Sequence, residues 1–256
     1  MKLNYKETGE GHVVFILHGL LGMSDNWVSI AKILSKKYRV FNIDIRNHGL
    51  SPHSDNMNYD LMADDLFEIV KDRSLNKVSL IGHSMGGKIA IIFADKYRDF
   101  VEKLIVIDIC HRSYEHIKKY NRLMNVISRI NLMQFKSRIE IDNHLKIIFP
   151  ADRTIGLLQK NIKRNNDNTF SWKFNHVSIK NNLKKIGKET IPEKPLDINV
   201  LFIKGELSDY ITKEDEEDIK IHFINSKVKI IKEASHWINA DQPQLLTDTI
   251  INFLDN

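Results

Sequence analysis

A chain of 256 residues, 42% hydrophobic and 28% charged, has enough apolar material for one sizeable α/β domain and the polarity of a soluble protein. Its single cysteine, Cys110, excludes an internal disulfide framework and a cysteine-rich zinc site. The formal net charge of +5 is unevenly placed, because residues 112–189 hold 17 Lys/Arg against 6 Asp/Glu and the rest of the chain is acidic.

Short apolar runs alternate with helical patterns along most of the chain. Val13–Leu17, Val40–Ile43, Val78–Ile81, Leu104–Ile109, Val200–Ile203 and Val228–Ile231 read as strands, apolar at nearly every position as strands covered on both faces should be. The first of them is only five residues long, too short for a bilayer span or a signal-peptide core, and a cytoplasmic protein with no stable membrane insertion is expected. Helical windows lie between the strands at about Trp27–Ser35, Tyr59–Asp72, Met85–Tyr97, Lys213–Ile224 and Pro243–Leu254. Thr212, ahead of an acidic first turn, is a good N-cap. This alternation predicts a mostly parallel central sheet flanked by helices.

The rhythm breaks once. Residues 112–194 contain no convincing strand, only helical patterns at Tyr114–Ile130, Arg138–Phe149 and Thr154–Lys163 and a polar turn at 165–169. They read as a helical cap inserted after the strand ending near Ile109, with 1–111 and 195–256 forming the core. The cap's basic surplus reads first as a Lys-rich solvated face and second as attraction for anionic substrates or a membrane surface. Nothing in the chain marks a nucleic-acid binder: no helix-turn-helix, zinc finger or interleaved aromatic motif is present.

The strongest chemical signal is VSLIGHSMGGKIA at 78–90. Strand residues lead into Gly82-His83-Ser84-Met85-Gly86 and a helix follows at once, the context in which G-x-S-x-G marks a nucleophile. Ser84 is therefore the candidate nucleophile. His236, in the loop after the last strand, is the candidate base, since such loops converge on the ligand crevice of an open α/β sheet. Backbone N–H groups of Met85 and of Leu20, in FILHGLLG at 15–22, are placed to hold an oxyanion, with His18 organising that loop.

HGLLG at 18–22, DIRNHGLS at 44–51, GHSMGGK at 82–88 and SHW at 235–237 resemble the α/β-hydrolase superfamily, and within it the small bacterial esterases of the YbfF type. The D-x-R-N-H-G-x-S form narrows the resemblance, because most members have glycine where Asn47 stands. The resemblance covers nearly the whole chain, the insertion loosely. It implies an α/β-hydrolase fold, hydrolysis of carboxylic esters or thioesters, no cofactor, and a helical cap over the site. Arg46, Asn47 and His48 read as loop architecture beside the site.

The superfamily usually keeps its acid at the fourth position of a turn after the strand Val200–Ile203. In KGELSDYI at 204–211 that position is Ser208, which cannot carry a charge. Asp209 sits one place later and Glu206 two places earlier. Asp108, at the end of an otherwise apolar strand, is costly to bury without a partner, and the YbfF-type resemblance favours it, with Ser208 assisting. Asp108 is the first candidate, Asp209 the alternative, and a helix N-cap the structural role that would also explain Asp108. The leading expectation is a serine esterase, with acyl-CoA thioesters as further substrates. Carbon–carbon bond hydrolysis, lactonase or perhydrolase chemistry on the same triad, and a low-turnover ligand receptor, are the competing readings.

Overall fold

The structure is a computed structural model and describes residues 1–114, 117–150 and 153–256. Its strands are β1 (Tyr5–Thr8), β2 (Val13–Leu17), β3 (Arg39–Ile43), β4 (Val78–His83), β5 (Val101–Ile107), β6 (Ile162–Arg164), β7 (Phe170–Trp172), β8 (Leu196–Gly205) and β9 (Phe223–Ile231). The α-helices are α1 (Val28–Leu34), α2 (Tyr59–Asp72), α3 (Met85–Lys96), α4 (Ile117–Ile127), α5 (Arg138–Ile148), α6 (Thr154–Lys160), α7 (His176–Ile186), α8 (Lys213–His222), α9 (Ile238–Asp241) and α10 (Pro243–Asp255).

Seven strands form one sheet in the order β1-β3-β2-β4-β5-β8-β9, parallel throughout except for β1, which pairs antiparallel with β3. The two-residue period of a strand sorts its apolar side chains onto the two faces. Phe15, Leu17, Leu80, Leu104, Val106 and Phe202 face a core shared with Met62 and Leu66 of α2 and Ile89 and Phe93 of α3. Val14, Ile16, Ile81, Ile105 and Ile203 face a second core, closed by Ile30 and Leu34 of α1 and Leu246 and Ile250 of α10. Apolar runs with no polar partner strand face are thus explained by helices on both sides.

Several boundaries differ from the pattern-based reading. β1 was not expected, because YKET is a half-exposed edge strand with no apolar run. Phe223 and Ile224, expected at the end of a helix, open β9 instead; Phe223 is buried and Ile224 exposed, as alternation along an edge strand requires. Thr212 does cap α8, its side chain accepting the Asp215 N–H. The stretch expected to lack strands carries an antiparallel hairpin, β6–β7, folded across the turn at 165–169, and also the unexpected helix α7. The expected helix from Tyr114 includes residues 115 and 116, which lie outside the described residues; α4 begins at Ile117.

The elements between β5 and β8 are tied to the sheet unit at defined points. Buried Lys88 on α3 donates from Nζ to Arg112 O (2.7 Å) and Lys188 O (2.5 Å), one carbonyl on each connection. Burial pushes its ammonium down to about 8. Tyr59 on α2 donates its hydroxyl to Ile186 O at 2.5 Å. In the DIRNHGLS loop, Arg46 is spent on a bidentate pair with buried Asp65 (2.6 and 2.8 Å). Asn47 grips α7: its Nδ2 donates to Ser178 Oγ (3.1 Å) and its carbonyl accepts the Asn175 N–H (2.9 Å). Its Oδ1 accepts the Ser54 N–H at 2.8 Å. Asn47 also has φ 66°, a left-handed backbone that asparagine tolerates better than other side chains do. Glycine would meet the backbone demand here and keep the carbonyl bond to Asn175, but would lose the side-chain bonds to Ser178 and Ser54.

Asn47→Gly should therefore keep the backbone and lose both side-chain bonds. Urea unfolding should show a loss of about 1–2 kcal/mol.

Candidate active site

Parallel strands end together, so the residues that follow them share one sheet edge. Gly19 and Leu20 follow β2, Ser84 follows β4, Asp108 follows β5, Ser208 follows β8 and His236 follows β9. Ser84 stands in the turn from β4 into α3 with φ 52° and ψ −120°, a strained conformation for a residue with a side chain. The turn closes so tightly that a Cβ on Gly82 would lie 2.3 Å from Gly86 O, and one on Gly86 would lie 2.3 Å from Leu17 O. Glycine at both positions is what permits the turn.

The structure brings Ser84, His236 and Asp108 into a line. His236 Nε2 lies 3.1 Å from Ser84 Oγ, and His236 Nδ1 lies 2.7 Å from Asp108 Oδ2. Facing a carboxylate, Nδ1 carries the ring proton, and Nε2 is left as the acceptor for the serine hydroxyl. Asp108 is fully buried and has φ 51°. It opens no helix: its carboxylate also accepts the Gly205 N–H (2.9 Å) on Oδ1 and the Ser208 hydroxyl on Oδ2. Ser208 in turn accepts the Tyr210 N–H at 3.3 Å. Asp209 is exposed on the wall of the outer cleft. Glu206 is exposed as well, its Oε2 accepting the Glu233 N–H (2.9 Å) and bracing the loop that leads to His236.

The loop after β2 lies against Ser84. Its turn is closed by Gly22 N–H to Gly19 O (2.9 Å), and the Leu21 N–H donates to His48 Nε2 at 3.1 Å. Across the site, Ser84 N–H donates to Ile107 O and Gly87 N–H to Ser84 O. Among the described residues, these bonds leave the Leu20 and Met85 amides without an acceptor, one on each side of the serine. His18 accepts the Ile45 N–H on Nε2 (3.0 Å) and therefore donates from Nδ1 to Gly19 O (2.8 Å). Burial pushes its imidazole below the ordinary range and drives that of His48 down to about 3, so both rings stay neutral. Asp44 completes the support by accepting the Ser24 N–H (2.7 Å) and the Leu50 N–H (2.9 Å).

Two residues that motif reading passed over hold the histidine in place. His83 donates from Nε2 to the His236 carbonyl at 2.8 Å, and burial, reinforced by the neighbouring His236, pushes its imidazole down to about 3. Tyr210 stacks on the His236 ring with centroids 3.9 Å apart and planes 14° from parallel. His83 occupies the variable place of G-x-S-x-G, and Tyr210 lies inside KGELSDYI. An aromatic at either place was the available signal.

Three cavities border this line, one of them, of about 580 Å³, lying against Gly19, Leu20, Ser84 and His236. A cleft of about 1090 Å³ is lined by His236 and Trp237 from the sheet side and by Leu123, Val126, Phe149 and Leu157 from the inserted helices. Lys119 and Arg122 of α4 also line it, both exposed. A small cavity of about 40 Å³ sits beside Ser84, Leu20 and Met85, walled by Tyr59, Ile109 and Ile186.

Known proteins align along this whole architecture. A family model described as alpha/beta hydrolase fold matches residues 12–131. The chain is 33% identical to the sn-1-specific diacylglycerol lipase ABHD11 of Danio rerio over 96% of this chain and 79% of that one. It is 29% identical to esterase YbfF of Escherichia coli over 100% of both. Among solved structures, a marine microorganism esterase is 40% identical, with a TM-score of 0.95 over 98% of this chain and 99% of that one.

The geometry separates the two candidate acids. Asp108→Asn should lower kcat by about 10³–10⁴-fold with KM little changed, because the amide favours the wrong histidine tautomer. Asp209→Asn should stay near wild type. Ser208→Ala should fall between them, at about tenfold, since it strips one charge-assisted donor from the carboxylate. Steady-state kinetics on one ester would rank the three, and a near-wild-type Asp108→Asn would sink the assignment.

Proposed function

The chain belongs to the α/β-hydrolase family and is an esterase/lipase-type hydrolase, and on that premise we propose that it cleaves carboxylic esters through an acyl-enzyme on Ser84. The observation that carries this reading is the unbroken line from Asp108 through His236 to Ser84, at 2.7 and 3.1 Å, with its serine flanked by two unclaimed amides. Residues 112–194 serve as the cap over the site.

In the first half-reaction Ser84 Oγ attacks the acyl carbonyl while His236 Nε2 takes its proton. Asp108 stabilises the imidazolium and holds the ring orientation, with Ser208 and the Gly205 N–H keeping the carboxylate in place. Leu20 and Met85 N–H groups receive the charge that develops on the carbonyl oxygen; removal of one such donor typically costs about 10²–10³ in kcat. His236 then gives its proton to the leaving oxygen, and water repeats the sequence on the acyl-enzyme.

The proton donor also orients the substrate. A leaving group protonated by His236 must lie on the histidine's side, which the two larger cavities border, and the small cavity beside the oxyanion amides, which His236 does not line, is left for the acyl portion. The reading is therefore of a short acyl group and a bulky alcohol or thiol. Lys119, Arg122 and Arg153 line the cleft together with Asp209, Glu233 and Asp241, so its wall is charge-balanced, and acyl-CoA thioesters stay among the candidate substrates on the chemistry of the serine alone.

A fluorophosphonate probe should label wild-type protein and not Ser84→Ala; an unlabelled folded wild type would favour a ligand receptor instead. In an ester series with one alcohol, acetyl to butyryl esters should be turned over at least about tenfold faster than dodecanoyl esters, because each methylene that fails to fit costs about 1 kcal/mol or more. A flat or rising series would overturn the placement of the acyl group in the small cavity.

A further inference from the structure

A second cluster of chemically capable side chains lies outside the catalytic line. His111 follows Asp108 by three residues, and Asp218 and His222 stand one turn apart on the same face of α8. His111 Nε2 lies 2.7 Å from Asp218 Oδ2, and His222 Nε2 lies 3.9 Å from Asp218 Oδ1. One donor atom from each of the three lies within 4.8 Å of the other two. Donors around a tetrahedral ion bound at ordinary zinc distances are separated by about 3.3–3.6 Å. Seating an ion there would open the 2.7 Å His111–Asp218 contact and close the 3.9 Å His222–Asp218 one, movements that the Asp218 and His222 side chains, 51% and 24% exposed, have room to make.

We propose that His111, Asp218 and His222 form a binding site for a transition-metal ion of the zinc class, fastening α8 to the connections of the inserted segment.

Geometry carries this assignment: the i,i+4 spacing brings His222 to the carboxylate that His111 already meets, and the His111 and His222 rings meet edge to face at 4.9 Å. Two imidazoles and one carboxylate suit zinc, nickel or copper and disfavour magnesium and calcium, which take oxygen donors. The exposed half of Asp218 leaves an entry path and room for water as a further ligand.

The site's place in the fold gives binding a consequence. The His111 carbonyl accepts the Thr190 N–H at 2.6 Å, joining the chain that enters the insertion to the chain that leaves it. Neighbouring Arg112 pairs with Asp215 on the same helix at 2.7 Å. An ion held by His111 and α8 would reinforce this junction without touching Ser84 or His236.

The test uses untagged full-length chain, stripped with a chelator, in zinc titrations read by calorimetry and by thermal unfolding. Wild type should bind one zinc per chain at micromolar concentration or tighter and unfold at higher temperature with zinc than without. Asp218→Asn and His222→Gln, both at accessible positions on α8, should bind at least about tenfold more weakly, as loss of even an outer-shell partner does at metal sites. Both should lose the thermal shift and keep metal-free esterase activity. Magnesium and calcium should give no shift with any variant. Failure of wild type to bind micromolar zinc would overturn the proposal, and so would wild-type affinity in both variants.

Discussion

The arrangement at the sheet edge hangs on one buried carboxylate. Asp108 has no access to solvent, and an unpaired charge in that position would cost several kcal/mol. It is instead met by an imidazole N–H from the loop after β9, a backbone N–H at the end of β8 and a hydroxyl from the turn beyond it. Its own N–H donates to Ile203 O on β8 at 2.7 Å. One aspartate thereby binds together the ends of three adjacent strands. The same bonds that make its burial tolerable are those that fix the tautomer of His236. On the proposed mechanism, stability and chemistry share one set of donors.

Strain is concentrated at the same edge. Leu21, Asn47, Ser84 and Asp108 all have positive φ without being glycine, and each such residue costs about 1–3 kcal/mol. Such conformations persist only where the surroundings over-determine them, and each of these four is pinned. Leu21 is held through its N–H by His48, Asn47 by Ser54 and Ser178, Ser84 by Ile107 O, and Asp108 by the carboxylate network. The DIRNHGLS loop thus acts as a distribution frame: Asp44 and His48 steady the loop after β2 while Asn47 reaches to α7.

Much of this was legible in the chain because it is local. A strand, a glycine-flanked serine and a helix are contiguous at 78–90, and the alternation of apolar runs with helical windows implies the parallel sheet. The strand-end position of Asp108 was readable for a related reason, since an aspartate closing an apolar run demands a partner. What was not legible is edge and distance. β1 and most of β9 are half-exposed and rich in polar residues, so neither shows a continuous apolar run. The β6–β7 hairpin has three residues per strand, too few to show a period at all. The stacking of Tyr210 on His236 and the bond from His83 to the His236 carbonyl join residues brought together by tertiary folding alone, which no spacing rule encodes.

The insertion is bonded to the loop after β2 beside Ser84, and is not merely laid over it. Asn161, buried beside α6, donates from Nδ2 to Leu21 O at 2.7 Å, while His48 from the sheet side accepts the Leu21 N–H. The residue next to the Leu20 amide is therefore held from both sides, by Asn161 through its carbonyl and by His48 through its N–H. An oxyanion donor is effective only if it is aimed before charge develops, because reorientation during the reaction would cost what the bond returns. Displacing the segment around Asn161 releases one of the two restraints on that aim. On the proposed mechanism, helices that shape the large cleft thus also help set the donor geometry at Ser84, and changes in the inserted segment that alter substrate choice would be felt in turnover as well as in binding.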